Sequence, residues 1–73
     1  MSIRLEVGRT YQVRDVDYVR QLGYQTEEII VKDTDKGRFP LISNYGNCFR
    51  RNGSYGGEDR RFDLVREVKQ SKL

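Results

Sequence analysis

Glycine punctuates this chain. Gly8, Gly23, Gly37, Gly46, Gly53, Gly56 and Gly57 divide it into pieces of about 6 to 14 residues, each bounded by a residue that tolerates positive φ. Long helices do not fit between such breaks. Short strands do, and closely spaced turn signals are the pattern of a small all-β domain. The whole chain is 73 residues. A domain of that size hides only ~60% of the surface its unfolded chain exposes, so its core supports a few kcal/mol of stability. A two-domain cleft and a doubly wound nucleotide-binding sheet are excluded by size. The expectation is one domain over 1–73, with its core between about 5 and 68 and a frayed tail over 69–73.

Within the pieces, periodicity names the strands. Arg9 to Arg14 reads R-T-Y-Q-V-R, with Tyr11 and Val13 on one face, the period-two signature of a half-buried strand. Glu28 to Asp33 reads E-I-I-V-K-D, whose three adjacent β-branched residues predict a strand covered on both faces. Phe39 to Ser43 is a third apolar run. Pro40 cannot donate to a ladder and so marks its beginning or an edge. Asn47 to Arg51 leads into Asn52-Gly53, a strong hairpin signal. In Phe62 to Val68, Phe62, Leu64 and Val68 are candidates for the core. Asp15 to Thr26 reads two ways. Val16, Val19 and Leu22 suit a short helix capped by Asp15, while Tyr18, Arg20 and Leu22 alternate as a strand would. The reading leans to strand or irregular loop, with one short helical turn around 16–22 as the alternative. Five or six short antiparallel strands in so small a chain cannot fill two sheets. An SH3-like small barrel, which leaves few free edges, is the economical arrangement.

Composition narrows the chemistry. The chain carries 14 basic and 11 acidic residues, for a net charge of +3, a mild excess that permits nucleic-acid contact without demanding it. Residues 1–37 hold a net −1 and residues 38–73 a net +4. There is no histidine, which removes the commonest general base and the commonest metal ligand together. One cysteine, Cys48, makes neither an internal disulfide nor a zinc site, and reads as a small buried residue on a strand. A reducing, cytoplasmic setting follows, with no signal peptide and no membrane-spanning run. The acidic pairs Asp15/Asp17, Glu27/Glu28, Asp33/Asp35 and Glu58/Asp59 lack the cleft and partners that hydrolysis needs. Glu27 and Glu28 read as solvated charges before a strand. The phrase D-T-D-K-G at 33–37 reads as a polar turn with Gly37 at positive φ, because no calcium-loop pattern follows it. Gly56-Gly57 lacks the G-K-[ST] ending of a phosphate loop and reads as a mobile loop. The sequence therefore reads as non-enzymatic, with no metal and no cofactor.

The opening phrase Gly8-Arg9-Thr10-Tyr11-Gln12-Val13-Arg14-Asp15, the run F-P-L-I-S at 39–43, the turn phrase Asn52-Gly53-Ser54-Tyr55 and the closing Asp63-Leu64-Val65-Arg66-Glu67 occur in that order. Together they resemble a group of small phage and prophage proteins. That group pairs a G-K-T-Y-x-x-R-D opening with a Y-P-V-V-G-type strand, a D-G-R-Y hairpin and a D-L-V-E-E ending. Here the hairpin reads N-G-S-Y, and the stretch from Asp15 to Phe39 is longer. The resemblance implies a small β-rich fold and a viral or prophage source, hence the bacterial host cytoplasm. It implies no activity.

One region carries candidate contacts. Between Tyr45 and Arg61, the arginine pairs Arg50/Arg51 and Arg60/Arg61 flank Tyr55. Alternation puts Phe49 and Arg51 on one face and Cys48 and Arg50 on the other, so one arginine of the pair lies along the core rim. Arginine and tyrosine are enriched in protein-interface hot spots, and they also suit phosphate contact and base stacking. The order E-D-R-R at 58–61 sets acids beside the second pair, which disfavours phosphate. The expected partner is thus a host or viral protein that this module modulates or inhibits. Single-stranded DNA or RNA is the alternative, and no membrane contact is expected.

Overall fold

The computed structural model describes residues 3–69. Five strands, β1 (Thr10–Val13), β2 (Glu27–Asp33), β3 (Leu41–Ser43), β4 (Cys48–Phe49) and β5 (Leu64–Val68), form one antiparallel sheet in the order β4-β3-β2-β1-β5. A helix, α1 (Val16–Gln21), lies between β1 and β2, and a 3-10 turn, Arg60–Phe62, precedes β5.

The sheet curls until its two edges meet. After the turn at 50–53 the chain runs back along β4, where Tyr55 bridges Phe49 and the Gly56 N–H donates to the Cys48 carbonyl at 2.8 Å. The same segment reaches β5: the Leu64 N–H donates to the Gly53 carbonyl and the Tyr55 N–H to Asp63 Oδ1, both at 2.8 Å. Edge groups that would otherwise stand open are thus used internally, as a small barrel requires. The result is an all-β, curled half-barrel compatible with a small SH3-like barrel.

The core lies inside the curl. Tyr11 and Val13 from β1, Ile30 from β2, Leu41 from β3, Phe49 from β4 and Leu64 from β5 are buried together, with Leu5 and Val19 closing the ends. Tyr11 pairs its polar tip as a buried tyrosine should. Its hydroxyl accepts from the Glu6 N–H at 2.8 Å and donates to the Arg4 carbonyl at 3.3 Å. Burial pushes the Tyr11 hydroxyl pKa up.

Several readings of the sequence change. β2 is covered on one face: Ile30 is buried, while Ile29 and Val31 face outward. β-branched residues cluster there because they suit extended backbone, and their density says nothing about a second covering layer. The segment Val16–Gln21 forms a helix, the alternative to the strand or loop that the sequence favours. Asp15 Oδ1 accepts from the Tyr18 N–H at 3.0 Å, Val19 is buried, and Gly23 at φ +83° follows the end. Phe62 stands on the 3-10 turn, so the last strand begins at Leu64. Cys48 lies on β4 as read but is only half-buried. The expected frayed tail falls, apart from Lys69, outside the described residues.

The Asn-Gly turn also differs from a two-residue hairpin. The Gly53 N–H donates to the Arg50 carbonyl and the Arg50 N–H to the Ser54 carbonyl, both at 2.9 Å. Gly53 has φ +96°, whereas Asn52 has no positive φ. This is a three-residue loop with glycine in the bulge position.

Candidate functional site

A cleft of about 750 Å³ lies between the loop after α1, the β3–β4 turn and the segment leading into the 3-10 turn. Its walls are aromatic: Tyr24 from the loop after α1, Tyr45 from the β3–β4 turn, Tyr55 from the strand-like return, and Phe62 from the 3-10 turn. The wall is continuous on one side. Phe62 meets Tyr55 with ring centroids 5.5 Å apart, Tyr24 edge-on at 6.1 Å and Tyr18 edge-on at 6.3 Å. Tyr24 and Tyr45 are 63% and 52% exposed, so half or more of each ring stays in water with no core role. An aromatic surface left open beside a recess is the usual anchor point of an interface.

The charged side chains that line the cleft are Glu28, Glu58 and Asp59. Among the described residues, no lysine or arginine lines it. Glu58 is exposed. Asp59 is held by Arg61, whose Nε and Nη2 donate to its two oxygens at 2.9 and 3.0 Å. Those bonds, with the Arg61 backbone N–H, hold the Asp59 carboxyl below the usual aspartate range. Glu28 is buried. Its inward phase on β2, two residues from Ile30 and directly across from Tyr11, carries it off the surface. The expectation that it is a solvated charge is therefore corrected. Ser43 Oγ donates to Glu28 Oε1, and Asn47 Nδ2 donates to the same oxygen at 3.0 Å. Ser43 Oγ in turn accepts from the Tyr45 and Asn47 N–H groups, so the β3–β4 turn is tied to this carboxylate.

The arginines lie elsewhere, each occupied. Arg51 donates to Asp33 at 2.7 Å and to Asp35 at 3.2 Å. Its side-chain hydrogen bonds, with the Asp35 N–H, hold the Asp33 carboxyl low. Arg50 is exposed, its guanidinium 5.2 Å from the Phe39 ring centre. Arg60 donates to the Tyr55 and Gly57 carbonyls and pairs with Asp63 at 3.3 Å. Arg61, besides holding Asp59, stacks 3.5 Å from the Tyr18 ring centre. The Gly56-Gly57 loop is held by Arg60 and by β4. Of the five residues singled out in the sequence, Tyr55 lines the cleft, and Arg50, Arg51, Arg60 and Arg61 do not.

Sequence reasoning missed Tyr24 and Glu28. Glu28 had a usable signal: on a strand whose Ile30 faces inward, residue 28 must face inward too. Among the described residues, no group of three or more His, Cys, Asp or Glu side chains is placed to hold a metal ion, and no helix is long and apolar enough to cross a membrane. Comparison of the chain with protein-family models, with curated proteins and with solved structures gave no match.

Proposed function

We propose that this protein is a small non-enzymatic binding module that docks through its aromatic cleft onto another protein and so modulates or inhibits it. The carrying observation is the lining of the cleft: four aromatic rings, two of them largely exposed, with three carboxylates and, among the described residues, no cation. A protein surface can fill such a recess, whereas a phosphate backbone meets only negative charge there. The arginines that a nucleic-acid reading needs are distributed over separate places, and three of the four are spent on carboxylates. The order of the short motifs supports a phage or prophage source, and with it a host or viral partner in the bacterial cytoplasm.

The test is capture from bacterial lysate by the tagged protein, with and without nuclease and at low and high salt. A discrete band is expected to survive nuclease, to be lost with the double variant Tyr24→Ala/Tyr45→Ala, and to persist with Arg50→Ala/Arg51→Ala. Capture that disappears with nuclease, or falls steeply with salt, would point to counterion release at phosphates and overturn the reading. Loss of capture with the arginine variant alone would move the docking surface away from the cleft.

A further inference from the structure

Glu28 is 3% exposed and lines the cleft. Its Oε1 takes both of its hydrogen bonds, from Ser43 and Asn47. Among the described residues no hydrogen bond or ion pair reaches Oε2, yet no buried side-chain oxygen lacks a partner. Oε2 thus keeps some accessibility on a residue that lines the cleft, and it is the carboxylate oxygen left free for a guest. A carboxylate withdrawn from water without a cation is costly, and a cation placed against it recovers much of that cost. The walls favour the same guest. The faces of Tyr24, Tyr45 and Tyr55 carry the negative side of the ring quadrupole, which attracts ammonium and guanidinium groups. Glu58 adds an exposed negative charge at the rim, while Asp59 is already committed to Arg61.

We infer that the cleft takes the cationic side chain, lysine or arginine, of an extended protein segment, with Glu28 as its counter-ion and the tyrosines as its walls. The inference rests on the reading of the protein as a protein-binding module and adds the chemistry of the segment it binds. Oε1 is fixed by the β3–β4 turn, so the carboxylate is held in place before the guest arrives. That lowers the ordering cost of binding.

The experiment is an NMR titration of the isotopically labelled full chain at constant ionic strength. The probes are capped pentapeptides, Gly-Gly-Arg-Gly-Gly and Gly-Gly-Lys-Gly-Gly, with Gly-Gly-Gln-Gly-Gly as the neutral control and oligothymidylate as the phosphate control. Saturable shifts of the Glu28, Asn47 and Gly57 amides are expected from a cationic peptide, with a dissociation constant of about 1–10 mM. The Gln peptide should bind at least about fivefold more weakly. Glu28→Gln, nearly isosteric and still able to accept from Ser43, should weaken cationic binding about tenfold. Tyr24→Ala, which removes a mostly exposed ring and its edge-on contact with Phe62, should lower the melt by only a few degrees and weaken binding about 2- to 5-fold.

Equal binding of the Gln peptide would overturn the cation assignment and leave the protein-binding reading standing. Shifts from oligothymidylate at these amides, with none from any peptide, would overturn both. No saturable shift up to about 50 mM of either cationic peptide, or binding unchanged in both variants, would overturn the inference alone. Shifts at the same amides on concentrating the protein without peptide would assign the cleft to a second copy of this chain and overturn it as well.

Discussion

Gly53 is the position where one methyl group should do most damage, and the structure provides its own control. A Cβ on Gly53 would fall well inside van der Waals contact of the Leu64 carbonyl oxygen, and 3.1 Å from the Leu64 carbonyl carbon. That backbone cannot simply retreat, because the Leu64 N–H is hydrogen-bonded to the Gly53 carbonyl at 2.8 Å. Gly46 has a similar positive φ, +81° against +96°, but a Cβ there meets nothing within 4 Å. Gly46→Ala should therefore cost only the left-handed backbone conformation, about 1–2 kcal/mol. Gly53→Ala should cost that plus the overlap, about 1–3 kcal/mol more. A 73-residue domain has roughly 4–11 kcal/mol in total. At about 4–8 °C per kcal/mol, the Gly53 variant should melt at least ~4 °C below the Gly46 variant. Circular dichroism melts and urea midpoints of the two variants and the parent measure this directly. Melts of the two variants that agree within about 2 °C would show that the turn does not lie against β5. The closure of the half-barrel described above would then be wrong.

Other expectations follow from the core and the ion pairs. Phe49→Ala and Leu64→Ala remove wholly buried side chains and should destabilise by about 3–5 and 2–5 kcal/mol respectively, read from urea midpoints. An unchanged midpoint in either would refute the register of β4 or β5. Asp33 and Asp59 titrate low in the folded chain, chiefly because Arg51 and Arg61 hydrogen-bond their carboxylates. A carboxyl whose folded pKa is depressed stabilises the fold above its unfolded value, near pH 4, and loses that contribution as pH falls through the lower folded value. The urea midpoint should thus drop between about pH 5 and pH 2. Arg51→Ala should flatten that drop and raise the NMR-detected Asp33 titration toward the ordinary range, the Asp35 N–H still holding it partly down. A normal Asp33 titration in the parent protein would refute the pairing.

How far the sequence can be read depends on how local each signal is. Tyr11 and Val13 were legible because alternation over four residues fixes a face, and the strand's partners need not be known. Gly53 was legible as a turn residue, but the reason it must be glycine was not. The turn alone asks for a positive φ, and the close approach of Leu64 adds the steric demand. The helix at Val16–Gln21 was ambiguous because six residues satisfy both periods, and the decision came from Asp15 reaching the Tyr18 N–H.

The cleft shows the opposite limit. Its lining comes from 22–25, 28, 45, 47, 55, 57–59 and 62, positions that meet only once the sheet has curled. Arginine density along the chain pointed to Arg50, Arg51, Arg60 and Arg61, since adjacent like charges are conspicuous in a linear string. Folding then gave three of them carboxylate partners, Asp33, Asp63 and Asp59, one of them 18 residues away. What lines the cleft instead is less conspicuous in the string: a buried glutamate on the inward phase of a strand, with no ion pair among the described residues, and tyrosines scattered between turns. A charge that alternation places inside a core with no charged partner nearby in sequence is a more specific pointer to a binding site than a run of charges. The run can be neutralised locally, whereas the buried charge must be compensated by something the fold brings to it or by something the protein binds.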